Sequence, residues 1–191
     1  MKKNIIRCMA AIALMALSCG CHVNHQEQAC SEPQSSQSWQ ERLKDMMPLL
    51  GHRNWIVIAD MAYPLQSGQG VVTLYADEPY QEVLKKTVDM VGEAPHVFAH
   101  IYHDKELDSI TEELVPGIGD LRKEIGGICG AEASSRMHED LIRSLDEAGK
   151  LYTVVIIKTP MTVPYTTTFL ELDCAYWGPE KQAKLDAVMG K

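Results

Sequence analysis

The side chains best placed for chemistry in this sequence are acid–base groups near loop ends. In GHRNWIVIADMAYP (51–64), His52 follows a glycine and Asp60 follows a short apolar run, with Pro64 four residues beyond the Asp. Loop ends are where binding and catalytic residues concentrate. An imidazole and a carboxylate can move protons in both directions near neutral pH. By spacing alone, His52 is equally a surface turn residue, and Asp60 a helix cap or a turn former.

His96, His100 and His103 stand at i, i+4 and i+7, a metal-binding face if the segment were helical. The alternation around them reads as a strand, which puts His96 and His100 on one side and His103 on the other. No metal site is assigned on that basis. A His-rich metal carrier is the function class these residues would otherwise suggest. Other chemistries lack their motifs. No GxGxxG follows a β-run and no GxxxxGK[ST] occurs, since GIGDLR (117–122) and GGICG (126–130) have no strand before them. GxSxG and HExxH are also missing, so nucleophilic hydrolysis and zinc proteolysis have no anchor.

These residues need a scaffold, and the hydrophobic pattern supplies one. Trp39, Leu43, Met46, Met47 and Leu50 fall at helical spacing, with Gly51 expected in the C′ position. Trp55–Ala59, Val71–Tyr75, His96–Tyr102, Leu151–Ile157 and Thr166–Leu172 read as strands. Asp77 and Pro79 open a helix carrying Tyr80, Val83, Leu84, Val88 and Val91 on one face, with a turn at Gly92. Lys105–Leu114 reads as a helix stopped by Pro116, and 116–129, with four glycines, has no clear pattern. Ser134 or Ser135 can cap a helix to Ala148 with Met137 facing inward, and Pro179 opens a last helix to Met189. Alternating strands and helices imply a three-layer α/β domain, a largely parallel sheet with helices on both faces.

The chain begins with an address. Lys2, Lys3 and Arg7 precede an apolar stretch, Cys8–Leu17, too short to span a bilayer and typical of a secretory leader. It ends in LSCGC (17–21), which resembles the lipobox of a bacterial lipoprotein, with Cys21 the first choice as lipid site and Cys19 the second. The expected organisation is a signal peptide over 1–21, a polar tether over 22–38 and a single domain over 39–191. The expected location is the bacterial cell envelope, with the domain facing the periplasm or the cell surface. Of the 191 residues, 18 are Lys or Arg and 26 Asp or Glu, for a net charge of −8. Removing a leader with three basic and no acidic residues takes the mature chain to about −11, which argues against a nucleic-acid partner. Cys30, Cys129 and Cys174 would then lie in an oxidising compartment, available for pairing with one left over.

GHRNWIVIADMAYP resembles the signature of the ribose pyranase and fucose mutarotase (RbsD/FucU) family: Gly-His, a β-run, Asp eight residues after the His, and Pro four beyond the Asp. The resemblance continues loosely through Val71–Val91 and APHVFAHIY (94–102), and resumes at MHEDL (137–141) and VPYTTTFLEL (163–172). It spans about residues 40 to 172. The resemblance implies an RbsD-like fold, a monosaccharide ligand, no cofactor, and a homo-oligomer with pockets between subunits. Carried over by position, the sugar-handling residues fall on His52, Asp60, His138 and Tyr165, and Thr167 stands where the family has Asn. A hydroxyl there cannot repeat the two-way hydrogen bonding of a carboxamide.

The implied reaction is ring opening and closure of a reducing sugar, with His52 the first acid–base candidate and Asp60 holding a hydroxyl or orienting an imidazole. Tyr165 would donate to the ring or anomeric oxygen. The alternative is a non-catalytic carbohydrate-binding or interaction lipoprotein on the same fold. One constraint is geometric. With Trp55–Ala59 extended, His52 and Asp60 lie roughly 15 to 25 Å apart at opposite ends of a strand. A site using both therefore needs a folded-back loop or a second subunit.

Overall fold

The computed structural model describes residues 37–191. The leader, Cys21 and Cys19, Cys30 and nearly all of the proposed tether lie outside the described residues. Ser38, the tether's last residue, instead caps α1 (Trp39–Met46): its hydroxyl accepts the Glu41 N–H, and the Glu41 carboxylate accepts the Ser38 N–H in return. A 3₁₀ turn (Met47–Leu49) follows, and Leu50 leaves it in an extended conformation. Gly51 therefore does not take the left-handed C′ role expected of it, because the turn around Pro48 has already ended the helix.

Six strands form one sheet in the order β2-β5-β1-β6-β3-β4. They are β1 (Trp55–Ala59), β2 (Val71–Tyr75), β3 (Val97–Asp104), β4 (Ser134–Arg136), β5 (Val154–Lys158) and β6 (Thr168–Cys174). The β2–β5, β5–β1 and β3–β4 pairs are parallel, whereas β6 runs antiparallel to both β1 and β3. All five residues of β1 are buried, as a continuous apolar run covered on both faces requires. Its side chains alternate. Ile56 and Ile58 join Leu170 and Leu172 in a core under α1, α2 (Tyr80–Glu93) and α3 (Ile118–Cys129), while Trp55 and Val57 join Ile156 and Phe169 in a smaller core under α4 (His138–Ala148). The α/β architecture, with a mostly parallel sheet between helices, is as the sequence pattern implies. The cover is uneven, with three helices on one face and one on the other. α5 (Pro179–Val188) buries no residue.

The largest departure from expectation is α3, in the segment without a readable pattern. Gly117 starts it at φ 87, a left-handed conformation that glycine adopts without steric cost, and Ile118, Ile125 and Cys129 form its buried side. The Glu112 carboxylate accepts the N–H groups of Gly117 and Gly119. That use of Glu112 accompanies a second correction, because the helix expected over 105–114 is only a 3₁₀ turn over Lys105–Ser109 followed by turns. Arg122 ties the turn to α3, its Nη1 donating to the carbonyls of Leu107, Asp108 and Ile110. Gly92 falls within α2 instead of ending it. Ser134 and Ser135 pair with β3 as β4 and cap nothing, and Met137 is exposed. Cys129 and Cys174 are not joined to each other.

Close approach fixes one glycine. A methyl group at Gly70 would sit 2.4 Å from the carbonyl oxygens of both Gly149 and Tyr152, which are backbone atoms that cannot rotate away. Gly70→Ala is expected to cost about 1–3 kcal/mol of stability, the usual range for overpacking. Urea unfolding of parent and variant checks this, and equal midpoints would refute it.

Candidate active site

The strand directions decide which residues meet. Asp60 follows β1 and Asp104 ends β3, so both lie at the carboxyl edge of the parallel strands, the edge where open α/β sheets bind ligands. Because β6 is antiparallel, the residues entering it, Val163–Thr167, arrive at that same edge. His138 is the first residue of α4. Together they wall a cavity of about 570 Å³, whose lining includes Asp60, Asp104, His138, Tyr165 and Thr167. That volume lies within the range of small-molecule sites.

Asp60 is both a turn former and a wall residue. Its Oδ1 accepts the N–H groups of Ala62 (2.8 Å) and Tyr63 (3.0 Å), and no hydrogen bond to Oδ2 forms among the described residues. The turn fixes the carboxylate while leaving one oxygen for a ligand. Lys158 sits behind this turn, its Nζ donating to the Tyr63 carbonyl at 2.6 Å.

Asp104 is fully buried, with Oδ2 3.0 Å from Nδ1 of His138. The contact is close but poorly aligned, and neither carboxylate oxygen nor Nδ1 makes a well-formed hydrogen bond. Burial pushes the Asp104 carboxyl up to about 6; His138 opposes the rise, and the charges of Glu106 and Asp60 add to it. Glu106 also holds the start of α4, both its oxygens accepting the His138 backbone N–H at 3.2 and 3.0 Å. This carboxylate does the capping expected of Ser134 or Ser135, and it complements the helix dipole. The Tyr63 phenol, in the same wall, is pushed up to about 12, chiefly by burial and further by Asp146 and Asp104.

The Tyr165 ring meets His138 edge to face, with centroids 5.6 Å apart at 83°. Its backbone is left-handed, φ 58, a conformation costing a non-glycine residue about 1–3 kcal/mol. The loop holds it there partly through the Thr166 hydroxyl, which donates to the Val163 carbonyl. Thr167 is 1% exposed and lines the cavity.

His52 lies elsewhere, before β1 at the opposite edge of the sheet. Its Nδ1 is 2.6 Å from Asp173 Oδ1, and its Nε2 accepts from Arg53 Nε, so the network assigns the proton to Nδ1. His100 approaches the other Asp173 oxygen at 3.4 Å. Burial tends to raise the Asp173 carboxyl, but the Cys174 N–H and the two histidines outweigh it and hold it below the ordinary range. The structure thus brings Asp60, His138, Tyr165 and Thr167 together and leaves His52 apart. Of the three histidines around β3, His96 bonds the Met47 and Leu50 carbonyls and His103 lies 3.7 Å from Asp108. Among the described residues, no group of three or more His, Cys, Asp or Glu side chains is arranged to hold a metal ion. Sequence reasoning missed Asp104, Glu106 and Tyr63. Asp104 ends a recognisable strand but carries no motif, and Glu106 acts across 32 positions.

No protein-family model matches the chain, and no curated protein matches it. Similar folds occur among solved structures. RbsD of Bacillus subtilis complexed with D-ribose matches with a TM-score of 0.47 at 20% identity, over 69% of this chain and 91% of the other. The fucose mutarotase of Streptococcus pneumoniae in complex with L-fucose matches with the same TM-score, identity and coverage. FucU of Bifidobacterium longum matches with a TM-score of 0.45 at 17% identity, over 70% of this chain and 94% of its own.

Asp104 leads to a pH-dependent prediction. A carboxyl raised on folding binds its proton more tightly in the folded chain than in the unfolded one. It therefore destabilises the fold increasingly as pH rises from its ordinary value near 4 to about 6, and by a constant amount above that. Asp104→Asn should flatten the fall in stability between pH 4 and 6. Denaturant midpoints across pH 3.5–7.5 test this; an unchanged slope would show that Asp104 is not the group responsible.

Proposed function

We propose that this protein is a cofactor-independent mutarotase or pyranase-like protein that opens and closes the ring of a reducing monosaccharide. The observation that carries the reading is the convergence of Asp60, His138, Tyr165 and Thr167, from segments far apart in sequence, on one cavity at the carboxyl edge of the sheet. The residues suit the reaction. A base removes the proton of the anomeric hydroxyl, the C1–O bond to the ring oxygen breaks as the C1 carbonyl forms, and an acid protonates the released oxygen. Rotation about C1–C2 and reversal of the same steps give the other anomer.

His138 is the acid–base group, carrying the proton between sugar and solvent. Asp104 behind it balances the charge of the ring as the proton comes and goes. Asp60 accepts from a sugar hydroxyl through Oδ2, and Tyr165 donates to the ring or anomeric oxygen. Thr167 supplies a single hydroxyl. His52 cannot reach this cavity within one chain, so its part in the reaction requires a homo-oligomer in which it enters the site of a neighbouring copy. The lipobox-like leader, with Cys21 as lipid site, would hold the assembly at the bacterial envelope. A non-catalytic carbohydrate-binding role on the same fold is favoured by one observation, the pairing of His52 with Asp173 away from the cavity.

Saturation-transfer NMR on reducing pentoses and hexoses distinguishes the two. The enzyme accelerates anomer exchange, and His138→Ala lowers that acceleration by about 10²- to 10⁴-fold, the usual contribution of a general acid–base group. Exchange at the buffer rate for every sugar, with one of them still bound, leaves only the binding role. If sites are shared, mixing inactive His52→Ala and His138→Ala chains restores part of the activity. A monomer by light scattering would remove that arrangement.

A further inference from the structure

We propose that the cavity takes an amino-bearing reducing sugar, its amine protonated, in preference to the neutral parent sugar, and turns away phosphorylated and carboxylated sugars. The inference rests on the reading above only in taking a reducing sugar as the ligand. Its grounds are the charges facing the cavity from each surrounding element. Asp60 comes from the end of β1, Asp104 from the end of β3 and Glu139 from the first turn of α4, and no lysine or arginine lines the space. Lys158, close behind the Asp60 turn, donates to the Tyr63 carbonyl and does not line the cavity, so its ammonium offers an entering anion no direct contact. The positive end of α4 also points here, but the Glu106 carboxylate already takes its first N–H, and Glu139 and Asp140 stand in its first turn.

A second observation points the same way. Asp104 is fully buried in the cavity wall without a well-formed hydrogen bond to either oxygen, so the wall holds negative charge that its own donors do not satisfy. An anion entering this space meets the carboxylates of Asp60, Asp104 and Glu139, and the one wall group able to carry positive charge, His138, has Asp104 beside it to balance that charge, whereas an ammonium group finds carboxylate acceptors. Met61, Ile142 and Val163 supply an apolar side for the C–H face of the ring.

Isothermal titration of the full-length protein at pH 6.5, where an amine of this type is charged, separates the outcomes. The probes are D-glucosamine, D-glucose, D-glucuronate and D-glucose 6-phosphate. Glucosamine should bind about three- to tenfold more tightly than glucose, as a charge-assisted contact in a half-open site allows, and the two anions more weakly than glucose. The glucosamine preference should shrink toward unity in Glu139→Gln and in high salt, while the neutral sugar is little affected by salt. Glucuronate or the phosphate ester binding as well as glucose overturns the proposal, as does glucosamine failing to bind. Anomer exchange is followed on the same sugars. Preferential glucosamine binding without accelerated exchange supports the proposal while removing the enzyme reading. Equal acceleration for glucose and glucuronate does the reverse.

Discussion

The site depends on one reversed strand. β1, β2, β3, β4 and β5 all run the same way, and residues that follow β1 and β3 reach one edge of the sheet by that fact alone. Residues that precede a parallel strand would be carried to the far edge. β6, inserted antiparallel between β1 and β3, brings Tyr165 and Thr167 to Asp60 and Asp104 instead. The same reversal sends Asp173, near the other end of β6, to the edge where His52 and His100 await it. Breaking the β1–β6 register by one residue would turn Phe169 from one core to the other and disassemble both clusters.

Electrostatics then sets what the edge can do. A buried carboxylate is costly unless a partner or a proton relieves it. Asp104 has His138 3.0 Å away but in no well-aligned hydrogen bond, and the main chain of His138 is itself held by Glu106 from the turn after β3. The residue is thus fixed through its backbone by Glu106, with the Asp104 carboxylate beside its ring and the ring lining the cavity. The arrangement is a proton-handling pair on a rigid support, since β3 and the start of α4 are both anchored in the core.

Much of this was legible in the sequence where periodicity or a breaker residue governs local structure. The apolar run 55–59 could only be a buried strand, and Asp60 had to sit at its end. His138, Tyr165 and Thr167 were placed through resemblance, because nothing in their own spacing distinguishes them from ordinary helix-start and loop residues. What escaped was set by distant contacts. Glycines at 117, 119, 126 and 127 hid α3, whose stability comes from packing Ile118 and Ile125 and from the Glu112 and Arg122 bonds. Ser134 and Ser135 are good capping residues locally, but β3 recruited them as an edge strand and Glu106 took over the cap. Asp104 is recognisable only when β3 and α4 lie side by side.

The left-handed backbone at Tyr165 sets side chain and main chain against each other. Glycine and asparagine adopt φ near +58 more readily than an aromatic residue, yet neither can present a phenol to His138. A library randomised at this one position would therefore return different winners under different selections. Heat or protease resistance would enrich residues that relax the loop, whereas selection on sugar handling would hold the ring in place. Stability and chemistry are opposed at a single codon, and the loop between β5 and β6 is where a redesign of this scaffold would have to choose between them.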